Sequence, residues 1–285
     1  MNTENLIAQK MELIQSIFMN VQEKNLVEFS LSKQTEYLHS FDVEFRGIAY
    51  EAASMNTALS DAKTDKKQSR WLAFLNECGN EYAIQIHVGL GWALAQEHQS
   101  VVPFTSALAP MLRYRVLDGY GYYEGIFRKR KSIISKQKFE TEDYTAAAAY
   151  DQGLGRSIWY STKGNIDIAK STIATFPADR QKDLWRGLGI AITYVGGCNT
   201  DYLKKITDNA TGFTADLATG AAMTLVSRNI ANSILPDTEV ACNMFCHKTT
   251  SAIIALDTTI KSRLTINKND AFATWLKDFE NAFSI

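Results

Sequence analysis

Apolar residues recur at helical spacing along nearly the whole chain. In the first segment Leu6, Met11, Ile14, Ile17, Phe18 and Val21 follow a helical period rather than the strict alternation of a half-buried strand. Similar patterns at about 43–60, 81–97, 117–131, 144–160, 179–195 and 213–231 predict six further helices. Only four prolines interrupt 285 residues, which favours long helices over a strand-rich fold.

These six segments carry a self-similar phrase: an apolar residue, a glycine, a small or second glycine residue, then alanines and aromatics. It reads FRGIAYEAA from Phe45, VGLGWALA from Val88, LDGYGYYEG from Leu117, DQGLGRSIWY from Asp151, LWRGLGIAITY from Leu184 and LATGAAMTLV from Leu217. The leading glycines, Gly47, Gly89, Gly119, Gly153, Gly187 and Gly220, are spaced by 42, 30, 34, 34 and 33 residues. A period near 34 indicates one helix pair per unit. Glycine inside a helix costs ~1 kcal/mol relative to alanine, so its repeated placement implies a compensating close approach of neighbouring helices.

The expected fold is therefore all-α, a tetratricopeptide-like array of helix pairs. Trp185, Leu188-Gly189 and Gly196 partly match the tetratricopeptide pattern, whereas Asp201 and Asp208 stand where its second helix wants alanines, so membership of that family is not implied. An irregular helical bundle with tight glycine packing is the alternative. Short polar segments (Asp61 to Ser69, 162–165, 177–179, 196–199, 235–237) read as turns, with Asn165, Asn199 and Asp237 as N-caps. No segment resembles an interdomain linker. One domain over 1–285 is expected, with capping helices in 1–42, glycine-helix repeats in 43–264 and a capping helix in 265–285.

Polar side chains interrupt the glycine helices at Glu51, His87, Asp118, Glu124, Asp151, Arg156, Asp183 and Arg186. If equivalent helices line one concave face, these groups converge. Carboxylates beside an arginine, buried among apolar rings, then acquire shifted pKa values and can move protons. Glu51, His87, Asp118, Glu124, Asp151 and Arg156 are the catalytic candidates. Tyr50, Trp92, Tyr120, Tyr122, Tyr123, Trp159, Arg186 and Tyr194 are the candidates for holding an apolar substrate. The plainer reading makes Asp118, Asp151 and Asp183 helix caps, His87 a core histidine and the aromatics core.

Composition narrows the partners. With 30 Lys+Arg against 31 Asp+Glu the formal charge is −1, so no global field favours nucleic acid or an anionic membrane. The basic run Arg128 to Lys131 reads as a solvated helix end. No stretch reaches the roughly 18–20 apolar residues that span a bilayer, and the amino terminus lacks the apolar core of a signal peptide, so a cytoplasmic setting without membrane insertion is expected. Cys242, Cys246 and His247 lack the further ligands a zinc site needs, so no metal is expected and small buried thiols are the better account. No Walker, dinucleotide or nucleophile-elbow motif occurs, so no cofactor is expected.

The phrases RGIAYEAASM, VGLGWALA, DGYGYYEGIF, DQGLGRSIWY, DLWRGLGIAITYVGG, TGAAMTLVSR and DTEVACNMFC, in that order, resemble a bacterial family of enediyne-biosynthesis accessory proteins of unknown function. The resemblance spans about residues 45–255. It implies a role in secondary metabolism beside polyene-forming polyketide synthases, in binding or cyclising a hydrophobic polyene. It carries over no catalytic residue. Two functions are thus expected: an accessory biosynthetic protein acting on a hydrophobic small molecule, or a non-catalytic helical scaffold for a biosynthetic partner protein.

Overall fold

The structure, a computed structural model, describes residues 3–24, 26–64, 69–266 and 268–284. Its elements are α-helical throughout, apart from a 3-10 turn and a π turn, and no strand occurs among the described residues. In chain order the helices are α1 (Thr3–Glu23), α2 (Leu31–His39), α3 (Val43–Thr64), α4 (Ser69–Gln96), α5 (Val102–Thr105), α6 (Arg113–Phe127) and α7 (Tyr144–Ser161). There follow α8 (Ile166–Ile173), α9 (Ala178–Val195), α10 (Thr200–Asn209), α11 (Thr214–Ile230), α12 (Pro236–Cys246), α13 (Thr250–Arg263) and α14 (Ala271–Asn281). None is long and apolar enough to cross a membrane.

The glycine segments are the inner helices α3, α4, α6, α7, α9 and α11, each packed on the next in that order. Shorter helices α8, α10 and α12 pack on one another outside them, which gives a repeat-like packing of paired helices. Helix α4 is two helices joined at Tyr82 (φ −117°, ψ 18°). In a straight helix Trp71 and His87 would stand ~24 Å apart, yet their ring centroids are 5.4 Å apart. The second half of α4 therefore turns back and supplies the inner helix.

The glycines explain why the inner helices lie so close. A Cβ added to Gly119, Gly153, Gly187 or Gly220 would overlap the backbone carbonyl of Val88, Asp118, Gln152 or Arg186, respectively, on the preceding inner helix. A Cβ on Gly91, Gly121, Gly155 or Gly189 would overlap the carbonyl of Val116, Tyr150, Leu184 or Leu217 on the following one. Residues two apart on a helix point about 200° apart. A G-x-G pair thus clears both flanks of one helix, and each helix makes backbone contact with two neighbours.

That register corrects one expectation. Gly89 meets the Glu51 carbonyl, so the position in α3 matching a leading glycine is Ala52 and not Gly47, which instead faces the Tyr194 hydroxyl. The capping role expected for three aspartates is also overturned. Asp118, Asp151 and Asp183 lie well inside α6, α7 and α9, are buried, and pair with Arg156, Arg180 and Arg186. Asn165 and Asn199 do cap their helices, whereas Asp237 lies within α12 and accepts from Gly197 N at 2.8 Å. The turn expected from Asp61 begins inside α3, Asp61 accepting from the backbone N–H groups of Arg70 and Trp71 at the start of α4, and its residues 65–68 lie outside the described residues.

The array curls until distant members meet. Gln85 Nε2 of α4 donates to Ser227 Oγ of α11 at 2.9 Å, and Arg156 of α7 lies 3.8 Å from Glu51 of α3. Helix α1 straps the curl, its Lys10 pairing with Glu44 of α3 at 3.0 Å and with Asp237 of α12 at 3.1 Å.

Candidate functional site

Curling leaves a hollow lined by side chains from all six inner helices: Glu51; Ile84, Gln85 and Val88; Arg115 and Asp118; Arg156; Ile190 and Tyr194; and Met223, Thr224 and Ser227. Its volume is about 40 Å³, room for about two or three water molecules. Counted from each leading glycine, Gln85 and Arg115 stand four before, Val88 and Asp118 one before, and Arg156, Ile190 and Met223 three after. Tyr194 and Ser227 stand seven after. These offsets form one stripe of a helix, so the packing that glycine dictates also aims one chosen face of each helix inward.

Two carboxylates in this hollow share one guanidinium. Arg156 Nη1 holds Asp118 Oδ1 at 2.5 Å, and its Nη2 reaches Glu51 Oε2 only at 3.8 Å. The Tyr122 ring covers the same guanidinium, 4.4 Å from its centroid. Gln152 donates its amide N–H to the other oxygen of Asp118. Burial would weaken the charge of Arg156, but Asp118 and Glu51 outweigh it and hold the group above its ordinary range. Glu51 is less well served. Burial pushes its carboxyl up to about 7, Arg156 pulls it down and the Asp118 charge pushes it back. The Trp92 indole N–H faces Glu51 but falls outside hydrogen-bond geometry, leaving Trp92 Nε1 without a partner. Of the six catalytic candidates, Glu51, Asp118 and Arg156 come together here, and a carboxyl that titrates near neutrality beside a fixed ion pair can give or take a proton.

The other three lie elsewhere. His87 packs against Trp71 with Nδ1 2.6 Å from the Ala83 carbonyl, and burial pushes its imidazole down to about 4. Glu124 is paired with Arg128, the residue that caps the end of its helix. Arg128 also donates to the Ala95 carbonyl at 2.8 Å, so the basic run is not wholly solvated as expected. Asp151 binds Arg180, whose Nε lies 2.8 Å away. Arg186 is fully buried between Asp183 and Glu280, each at 2.6 Å, and donates to Gln152 Oε1 at 2.7 Å. Gln152 thereby links it to Asp118.

The seven aromatics do not form one groove. Tyr50 stacks on Tyr82 with centroids 4.1 Å apart. Trp92 is enclosed by Phe18, Tyr122, Tyr123 and Phe127, Tyr120 packs with Phe139 and Tyr150, and Trp159 is wholly buried. Only Tyr194 lines the hollow. Sequence reasoning missed Gln85, Arg115, Gln152, Thr224 and Ser227. Their signal was the stripe at four before, one before, three to four after and seven after the glycine.

Glu51 makes stability depend on pH. Folding raises its pKa from 4.5 to about 7, so the folded state holds the proton more tightly and stability falls as pH rises through that window. Glu51→Gln is expected to abolish this slope and to exceed the natural chain by about 3 kcal/mol at pH 8, measured by urea unfolding at pH 5 and pH 8. Equal slopes in the two proteins would exclude Glu51 as the titrating group.

A second cleft of about 380 Å³ lies among Ala58, Asp61, Ala62, Leu90, Ala93, Leu94, Glu97, Gln99, Pro103 and Phe104. At about 100° per residue, its α4 side chains lie opposite those of the hollow. None of the predicted site residues lines it. Among the described residues no group of three or more His, Cys, Asp and Glu side chains is arranged to hold a metal ion.

No curated protein and no solved structure matches this chain. The family model described as "Protein of unknown function (DUF1702)" matches residues 1–283, and the chain therefore belongs to that family.

Proposed function

We propose that this chain is an accessory protein of bacterial secondary metabolism, working in the cytoplasm, in which Glu51 exchanges a proton with the polar end of a polyketide-derived intermediate. The observation that carries the proton-exchange reading is Glu51 itself: a carboxyl that burial pushes up to about 7, lining the hollow and sharing Arg156 with Asp118. The metabolic setting rests on the resemblance of the glycine phrases. A whole polyene does not fit about 40 Å³, so only a terminal polar group of the substrate enters. The mainly apolar 380 Å³ cleft is of the size that holds small ligands.

The small hollow also favours a second reading, a non-catalytic scaffold for a biosynthetic partner protein. The two separate in one experiment: deletion of the gene in its host, complementation with the natural chain or with Glu51→Gln, and comparison of the metabolites. Loss of a product on deletion, restored by the natural chain and at most one-tenth restored by Glu51→Gln, is the expected result. Full restoration by the variant leaves the scaffold reading, and an unchanged metabolite profile on deletion removes both.

We propose further that the array is tetratricopeptide-like, with a period near 34 residues. Four hydrogen bonds between inner helices support it, Gln152 to Asp118, Arg186 to Gln152, Thr224 to Ile190 O and Arg228 to Tyr194 O, each joining positions 34 apart.

A further inference from the structure

The hollow contains a second guanidinium that the acid–base reading leaves idle. Arg115 is about nine-tenths buried and lines the hollow beside Asp118, yet among the described residues it makes no hydrogen bond and no ion pair. It packs on the rings of Phe272 and Trp275, 5.3 and 6.0 Å from the guanidinium carbon, and feels the charges of Asp118 and Asp257 in its favour and those of Arg156 and Arg186 against it without a direct bond to any of them. Asp118 is already committed to Arg156 and Gln152. With Glu51 neutral, the hollow holds two guanidinium charges against one carboxylate. An uncompensated buried charge is costly, and folded proteins pair such groups.

We propose that the hollow is a binding site for a small carboxylate, held by the Arg115 guanidinium and balanced against Arg156 across the cavity. The space of about 40 Å³ suits a formate-sized group, and an arginine fork matches a carboxylate in two parallel hydrogen bonds. The wall adds donors. Ser227 Oγ accepts from Gln85 Nε2 and keeps its own O–H, and Tyr194 contributes a phenol. Gln85 Oε1 has no partner; turning the amide over lets Ser227 donate to it and directs Nε2 at the ligand.

Binding is coupled to the proton on Glu51, because a bound anion repels its ionised form. The groups that face Glu51 are Asp118, Arg115 and Tyr122 from α6, Arg156 and Tyr160 from α7 and Tyr194 from α9. From α4 come the uncharged Gln85, Val88 and Trp92, and α11 offers Met223, Thr224 and Ser227. Burial pushes Arg115 down to about 10, so it stays charged at neutral pH, and the phenols sit above their ordinary range. Glu51 is the group in this set that changes charge near pH 7.

The inference rests on the reading of the hollow as a pocket for a polar end, but its test needs only the purified full chain and fails independently of any metabolite. Sodium formate is titrated by calorimetry at constant ionic strength from pH 6 to pH 8.5, with sorbate as the arm that carries an apolar tail. One formate per chain is expected, weakening about tenfold per pH unit above pH 7. Arg115→Met should bind at least tenfold more weakly, and Glu51→Gln should bind with no pH dependence. Binding of sorbate as well identifies the carboxyl end of a larger acid as the ligand; formate alone identifies a free small anion. Formate binding unchanged in a folded Arg115→Met, no binding to the natural chain at pH 6, or affinity equal at pH 6 and pH 8.5 overturns the proposal. The pH series decides even where Arg115→Met fails to fold.

Discussion

Gly187→Ala is expected to destabilise the protein by about 3 kcal/mol or more, the opposite sign to what helix propensity predicts. At an exposed helix interior the same change gains ~1 kcal/mol. Here the new methyl would overlap the Gln152 carbonyl oxygen, with Gln152 carbonyl carbon 2.8 Å and Arg156 N 3.0 Å away. Those atoms are backbone, so no rotamer change relieves the overlap and two helices must separate, at a cost beyond ordinary overpacking of a core. Gly153→Ala should behave likewise, its methyl overlapping the Asp118 carbonyl. Gly79→Ala is the control, because there the neighbour is Leu75 Cδ1 at 2.9 Å, the mobile end of a side chain. Chemical denaturation of the three variants measures this. A Gly187→Ala protein as stable as Gly79→Ala would mean the inner helices are not held at backbone contact.

Asp118→Ala is expected to cost about 3–5 kcal/mol, the range for removing one partner of a buried ion pair. It strips Arg156 of its 2.5 Å partner and leaves the amide of Gln152 without its acceptor. Both arginines of the hollow then depend on Glu51, whose nearest guanidinium nitrogen is 3.8 Å away. With the Asp118 charge gone and Arg156 no longer shared, Glu51 should also ionise at lower pH, so the variant loses the fall in stability between pH 5 and pH 8. Urea unfolding midpoints across that range measure both effects. A loss below about 1 kcal/mol would show that the pair is dispensable to the fold.

Both predictions concern residues visible in the sequence, though their roles were not equally legible. Four prolines, the apolar period and glycines inside helical segments specified an all-helical chain, and the expected inner helices overlap the observed ones, with α4 beginning far earlier than expected and α6 displaced by four residues at both ends. The pairing of G-x-G with two flanks was legible too, since residues two apart on a helix face nearly opposite ways. The register of α3 was not. Its phrase contains Gly47, but Ala52 occupies the matching position, where an alanine suffices because a leading glycine approaches the preceding inner helix and α3 is the first of them. Likewise Asp118, Asp151 and Asp183 precede glycine phrases, which made them resemble caps, but the helices begin five or more residues earlier and bury them.

The candidate site depended still more on three dimensions. Glu51, Asp118 and Arg156 were expected together with His87, Glu124 and Asp151, all polar and all near a glycine. Proximity to the glycine carries no information about direction, whereas an offset of one before or three after does. Arg115 and Gln85 share the offset of four before and went unremarked, because the inward stripe is defined by where the neighbouring helices cross.

The amino-acid sequence by itself determined helices and their closest contacts, because propensity, period and the absence of a Cβ act locally or between adjacent helices. Only the tertiary structure decided which charges meet. The packing of six successive inner helices brings Arg156 of α7 near Glu51 of α3 and Gln85 of α4 onto Ser227 of α11, and no local rule records that closure.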